Sequence, residues 1–262
     1  MMIEIYGKTF CPYCDKAKAL CEREGFEYSY KELDKDFTRE EFFNIFPTAR
    51  TFPQIKIDGN DIGEEVAFPI ACNIADDDQL RNLVDKTIDT LGNIDTLICN
   101  AATNTFMGSM LDMSIEQFDK VMHNNIRSNQ LLCNLCLPSM IEKEDGSIII
   151  ISSIAAIKGS PMLGAYNISK AADVMIVKNI AAEFGHKNIR ANSIAPGLIK
   201  TDFAKGLWEN PEILKAVLHT NPMKRIGDPD EIAGAAIMLS SKAGNYINGQ
   251  TIVIDGGTIA VG

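Results

Sequence analysis

The sequence predicts an α/β fold in two parts, a small β-α-β-α-β-β unit followed by a larger parallel sheet with crossover helices. Three observations carry this. Residues 1–63 alternate short apolar runs with helical periods and end in a hairpin signal at Asp58-Gly59. From Val66 onwards, runs of Val, Ile, Ala and Leu without strict alternation recur between longer helices, the pattern of strands covered on both faces. No polar or Pro/Gly-rich spacer separates the two rhythms, because Asp61-Ile62-Gly63-Glu64-Glu65-Val66 passes straight from one to the other.

In the first part, residues 2–7 read as a strand stopped by Gly7. A helix follows from Cys11 to Glu24, closed by Gly25. Residues 26–32 form a second strand, Thr38 to Phe46 a short helix, and residues 51–57 a strand leading into the hairpin. In the second part, strands are expected at 66–73, 94–100, 147–153, 189–195 and 250–255. Leu80, Leu83, Val84, Ile88 and Leu91 mark a helix at helical spacing, and Asp76 with Gln79 resembles a capping box at its start. One long helix is expected from Ser114 towards Ile141 and another over 165–184. Strands alternating with helices give a parallel sheet with crossovers.

The 262 residues suffice for one large domain or two smaller ones, and 46% hydrophobic content supports a packed core. A net charge of −10 opposes sequence-independent nucleic-acid binding. Met1-Met2-Ile3-Glu4-Ile5-Tyr6 lacks the cationic start and long apolar stretch of a signal peptide. The densest apolar run, Ile148 to Ile151, is far too short to span a bilayer. A cytoplasmic protein without membrane partners is therefore expected. The 7 cysteines, an odd number, argue for mostly reduced thiols rather than a disulfide scaffold. His123, His186 and His219 match no ligand spacing, so no metal is expected.

Cys11-Pro12-Tyr13-Cys14 opens a helix directly after a strand. Helix N–H groups and the positive helix end stabilise a thiolate at Cys11, and Cys14 can reach back to close a disulfide. Thr51-Phe52-Pro53, entering a strand, fits a cis turn lying against it. The alternatives are two idle thiols, or a zinc site completed by Cys133 and Cys136. That second pair sits mid-helix with no knuckle turn and reads better as helix packing.

These motifs resemble glutaredoxin over residues 2–63. The resemblance implies a thioredoxin fold for a segment 1–63, with Cys11 as attacking and Cys14 as resolving thiol. It implies glutathione as thiol co-substrate near Lys8, Tyr13 and the backbone around Phe52 and Pro53, with glutathione or protein disulfides as partners. The family continues after this point with a second Gly, an acidic residue and a last helix. Here Glu64-Glu65-Val66 follows, which weakens the expected hold on glutathione.

In the second part, Tyr166-Asn167-Ile168-Ser169-Lys170 sets Tyr and Lys one helical turn apart on one face. An ammonium there is expected to lower the pKa of the phenol, so that it trades a proton with a carbinol or carbonyl oxygen. Ser153, at a strand end, is placed to bond the same oxygen, and Asn125 to carry a relay water towards Lys170. A Tyr-x-x-x-Lys alone fits a solvated helix equally well. Here it is joined by Asn100-Ala101-Ala102, Ser152-Ser153, Pro196-Gly197-Leu198-Ile199-Lys200-Thr201 and Ile254-Asp255-Gly256-Gly257, each closing a strand.

Together these resemble the short-chain dehydrogenase/reductase family over residues 66–262. The resemblance implies a Rossmann-type sheet for a domain 64–262, with Asn125, Ser153, Tyr166 and Lys170 as catalytic tetrad and NAD or NADP as cofactor. Asn73, Asn100, Ala101, Ala102, Tyr166, Lys170, Pro196, Gly197, Ile199 and Thr201 would contact that cofactor. Phe203, Leu207 and Trp208 would form a substrate lid. A small carbonyl or alcohol substrate and a homo-oligomer, dimer or tetramer, are also implied.

The family's opening strand, Gly-rich turn and second strand have no counterpart before Val66, so the Rossmann-type sheet is expected to be truncated. That turn lets the backbone approach a pyrophosphate. Gly7-Lys8-Thr9-Phe10-Cys11 is a poor substitute, with a bulky Phe10 where a second Gly is needed. Three functions follow as expectations. The first is NAD(P)-dependent oxidation or reduction, impaired by the missing loop. The second is glutathione-linked thiol–disulfide exchange through Cys11 and Cys14. The third is an inactive fusion that only oligomerises.

Overall fold

Residues 2–24, 26–47, 49, 52–57, 60–61 and 70–261 are described by a computed structural model. The chain divides into two units, Met1–Ile70 and Ala71–Gly262. In the first, β1 (Ile3–Gly7), α1 (Pro12–Glu24), β2 (Tyr28–Glu32), α2 (Arg39–Ile45), β3 (Gln54–Ile57) and β4 (Asn60–Asp61) follow one another. The sheet runs β2-β1-β3-β4. β1 pairs parallel to β2 and antiparallel to β3, and β3 pairs antiparallel to β4. The hairpin residues Asp58 and Gly59 lie outside the described residues, as does Thr51.

Thr38 starts α2 as expected of a capping box. Its hydroxyl accepts from Glu41 N at 3.2 Å, and the Glu41 carboxylate accepts from Thr38 N at 2.8 Å. α2 then presses Phe42 and Phe46 against Tyr6, Phe37 and Phe52, an aromatic core with ring centroids 4.5 Å apart at its tightest pair, Phe42 and Phe52. The other face of β1 buries Ile3 and Ile5 with Cys21 of α1.

The second unit holds α3 (Asp77–Leu91), β5 (Thr96–Cys99), α4 (Ile115–Met122), α5 (Ser128–Lys143), β6 (Gly146–Ile151), α6 (Gly164–Phe184), β7 (Ile189–Pro196), α7 (Lys205–Trp208), α8 (Pro211–Thr220), α9 (Pro229–Ser240) and β8 (Thr251–Ile254). Its sheet is β5-β6-β7-β8, all parallel. The run Ile148-Ile149-Ile150 explains why β6 shows no alternation. Ile148 and Ile150 enter a core with α3, α5 and α6, while Ile149 enters another with Ile194 and Leu239 of α9. A strand covered on both faces is apolar at every position. Arg190 and Ser147 reach across to the Leu239 carbonyl, satisfying the end of α9.

Four expectations change. Of the strand expected at 66–73, residues 66–69 lie outside the described residues, and residues 70–73 form no strand. Asn73 instead closes a turn, its Oδ1 accepting from Ala75 N at 3.1 Å and its carbonyl from Asp76 N at 3.0 Å. A side-chain acceptor of this kind competes with a ladder. Gln79 Oε1 accepts from Asn73 N at 2.9 Å and its Nε2 donates to Asp76 Oδ2 at 2.8 Å, while Asp76 N donates to Asn73 O, so Asp76 caps α3 without a reciprocal box to its backbone. The expected unbroken helix from Ser114 is interrupted. α4 passes into a π-turn at His123–Arg127 before α5. Leu91, expected on the apolar face of α3, is exposed.

Candidate functional site

The π-turn positions the first site residue. Asn125 lies on it, fully buried. Its Oδ1 accepts from Thr103 N at 2.7 Å, and its Nδ2 donates to Thr103 O at 2.9 Å and to Ser169 Oγ at 3.0 Å. The amide thus holds the loop after β5. Asn125→Ala is expected to lower stability by about 1–3 kcal/mol, the cost of orphaned buried backbone groups. Denaturant unfolding measures this.

Ser153 follows β6 by two residues and caps a short turn, its hydroxyl accepting from Ala155 N at 3.1 Å. Tyr166 enters from the first turn of α6 and hydrogen-bonds to Ser153. Lys170 follows one turn on, with its ammonium 5.7 Å from the Tyr166 ring centroid. So β6 and α6 bring Ser153, Tyr166 and Lys170 together, while Asn125 reaches them through Ser169.

Lys170 faces inwards. Only 2% exposed, it donates to Ile151 O at 2.8 Å and to Asp173 Oδ2 at 3.0 Å. Asp173 is also fully buried, and its Oδ1 accepts from Asn129 of α5 at 3.0 Å. Both carboxylate oxygens therefore meet donors, which fits an ionised Asp173. Burial raises its pKa, and Lys170 and Asn129 oppose that. The phenol departs from expectation. Burial pushes Tyr166 up to about 12, the Ser153 bond pulls down, and the Asp173 charge pushes up again. The sequence reading missed Asp173. Its signal was a lone carboxylate one turn after Lys170, within the apolar stretch of α6.

The remaining positions spread along the strand ends. Asn100, Ala101 and Ala102 leave β5 directly. Pro196 ends β7, and Gly197 N donates to Ile254 O at 2.8 Å. A Cβ at Gly197 would stand 2.8 Å from Asp255 Cα, so only glycine allows β7 and β8 to meet here. Ile199 pairs with Gly227, and Thr201 O accepts from Trp208 Nε1 at 2.9 Å. Phe203 is exposed with its ring centroid 6.2 Å from that of Tyr166, whereas Leu207 and Trp208 are half-buried on α7. Asn73 is exposed and tied to its own turn.

These residues fit a nicotinamide end better than a dinucleotide as a whole. Pro196, Gly197, Ile199 and Thr201 lie at and after the end of β7, in the segment whose Phe203 meets Tyr166. No glycine-rich strand-to-helix turn occurs among the described residues of the second unit. The helix before β5 begins with Asp76, Asp77 and Asp78. Asp77 is paired with Arg127, and the Asp76 and Asp78 carboxylates beside it oppose an anion at this helix N-terminus.

In the first unit, Cys11 and Cys14 form a disulfide at the start of α1. Cys14 N donates to Cys11 Sγ at 3.2 Å. Phe52 and Pro53, joined by a cis peptide bond, lie alongside, with Cys11 Sγ 3.9 Å from Phe52 O. Lys8 places its ammonium 5.9 Å from the Phe52 ring centroid. The Tyr13 side chain lies outside the described residues. Cys133 and Cys136 are buried core residues of α5, and among the described residues no group of His, Cys, Asp or Glu is set to hold a metal. Among them too, no helix is long and apolar enough to cross a membrane.

A parallel sheet with Ser153, Tyr166 and Lys170 gathered at one strand end defines an α/β oxidoreductase. The family model for enoyl-(acyl carrier protein) reductase matches residues 54–258, and that for glutaredoxin matches residues 3–62. The chain belongs to the short-chain dehydrogenase/reductase family and carries a glutaredoxin segment. It is 40% identical over 189 residues to dehydrogenase/reductase SDR family member 4 of Bos taurus, covering 72% of this chain and 68% of that protein. It is 36% identical to the mitochondrial SDR family member 2 of Homo sapiens, covering 71% and 66%. A short-chain type dehydrogenase/reductase from Mycobacterium marinum superposes with a TM-score of 0.68 at 32% identity, covering 72% of this chain and 74% of that one. A gluconate 5-dehydrogenase from Burkholderia cenocepacia, solved with NADP and tartrate, shares the fold at a TM-score of 0.69 and 23% identity, covering 97% and 85%.

Proposed function

We propose that the second unit oxidises or reduces a small carbonyl or alcohol with NAD(P), using Tyr166 as proton donor and acceptor. The convergence of Ser153, Tyr166 and Lys170 supports this. A bound nicotinamide supplies or accepts the hydride. In reduction, the Tyr166 phenol gives its proton to the carbonyl oxygen, leaving an alcohol and a tyrosinate that recovers a proton from solvent. Ser153 orients that oxygen, and Asn125 braces the loop that forms the opposite wall. Pro196, Gly197, Ile199 and Thr201 would hold the nicotinamide, with Asn73, Asn100, Ala101 and Ala102 along its path and Phe203, Leu207 and Trp208 over the substrate. The acidic start of α3 predicts weak hold on the phosphates.

The chain's 1 tryptophan, Trp208, sits on this path and reports on it. Titration with NADH and NADPH should quench its fluorescence saturably, with a Kd in the range of about 0.1–1 mM, equivalent to about 4–5 kcal/mol. Absence of saturation in both titrations rejects nicotinamide binding.

A second reading concerns the first unit and rests on the Cys11–Cys14 disulfide at a helix start. We propose glutathione-linked thiol–disulfide exchange there, with Cys11 attacking and Cys14 resolving. Lys8, Tyr13, Phe52 and Pro53 would line the glutathione site. Assembly as a homo-oligomer, and a cytoplasmic location, are part of the same proposal. Light scattering of the intact chain measures the former.

A further inference from the structure

The Lys170–Asp173 pair is the most deeply buried ion pair among the described residues, at 2% and 0% side-chain exposure. α6 is also anchored by buried Ala165, Ile176, Val177 and Ile180. A buried pair of this kind is often no better for stability than apolar residues of the same volume. Its geometry does something more specific. Lys170 donates to Ile151 O and Asp173 Oδ2, both inside the core. Asp173 is itself fixed from α5 by Asn129. The ammonium is held on the core side of the Tyr166 ring, beside a charge of opposite sign.

We propose that Asp173 is a positioning residue that anchors the Lys170 ammonium in the core and cancels its charge at Tyr166, which keeps the phenol protonated, the form from which carbonyl reduction starts. This rests on Tyr166 being the proton donor proposed above. The groups facing the pair from each packed element are few. α6 presents Tyr166 and Ser169, and the π-turn presents Asn125, bonded to Ser169. β6 presents the Ile151 carbonyl, and the turn after it presents Ser153, bonded to Tyr166. β5 presents the Cys99 thiol, pushed well up by its bond to Cys133 of α5 and by burial, and therefore neutral. Asp173 is thus the anion among them. An uncompensated ammonium within about 4–6 Å would favour the tyrosinate; a carboxylate next to that ammonium removes the effect.

The test reads Tyr166 directly and needs no cofactor. The intact chain is labelled with [13Cζ]tyrosine, the Tyr166 resonance is assigned with Tyr166→Phe, and its titration is followed by NMR. In Asp173→Asn and in Asp173→Ser, each checked for a cooperative melt, Tyr166 should titrate at least about one pH unit below the parent. The double variant Lys170→Met/Asp173→Asn should titrate above Asp173→Asn, because the released ammonium is gone. Equal titration of Tyr166 in the parent and either folded single variant overturns the proposal. So does equal titration of Asp173→Asn and the double variant. If Tyr166 moves as expected while no NAD(P)H-dependent turnover is found, the functional reading fails and the role of Asp173 stands.

Discussion

Tyr166→Phe is expected to lower NAD(P)H-dependent carbonyl reduction by about 10²–10⁴-fold, the usual contribution of a positioned proton donor. The substitution removes one hydroxyl from a half-buried ring and leaves the contact with Phe203 in place. Folding should therefore be unaffected, and the loss should fall on kcat more than on KM. The pH dependence adds a sign. Burial, with the Asp173 charge, holds the phenol at about 12 against the pull of Ser153. Reduction needs the protonated phenol, so its rate should stay flat through neutrality and decline only in strongly alkaline solution. Oxidation needs the tyrosinate, so its rate should climb with pH over the same alkaline range. A reductive rate that falls between pH 6 and 8 would contradict this environment. Steady-state rates in both directions, for parent and variant, measure these effects.

Cys11→Ser is expected to abolish glutathione-dependent reduction of a small mixed disulfide, a loss of at least about 10²-fold, because an alcohol cannot replace the attacking thiolate. The thiolate of Cys11 attacks the mixed disulfide, expels the small thiol and becomes bonded to glutathione; a second glutathione then takes that sulfur and releases Cys11. Cys14→Ser should keep this one-thiol route yet lose reduction of protein disulfides that needs the dithiol. The asymmetry has a structural basis: the Cys14 N–H points at Cys11 Sγ, so the helix start favours negative charge on Cys11. If Cys14→Ser were the more damaging change in the small-disulfide assay, the assigned order of the two thiols would be reversed. The Cys11→Ser variant should keep its carbonyl reduction, since the two activities are proposed for separate units.

Much of this was legible along the chain. The boundaries of α2, α3 and α4 follow from Thr38, Asp76 and Ser114, whose side chains cap within a few residues. β6 and β7 follow from apolar runs that suit only strands covered on both faces. Tyr166 and Lys170 share a face because four residues are about one helical turn. The motif after each strand reports local turn chemistry, and both family resemblances rest on such local strings.

What escaped the sequence depends on partners distant along the chain. The π-turn exists where Asn125 meets Thr103, 22 positions away. Residues 70–73 were apolar enough for a strand, but a ladder needs a neighbour, and Asn73 closes a turn instead. The acidity of Tyr166 reversed its expected direction for the same reason. Spacing placed an ammonium beside the phenol, while burial and the inward pull of Ile151 and Asp173 decided which charge the phenol feels. The sequence by itself determined the two family resemblances and the residue types that carry them, because local hydrogen bonds and helical spacing act over a few residues. Only the tertiary structure decided the sign of the field at Tyr166, because desolvation and ion pairing depend on which elements pack together.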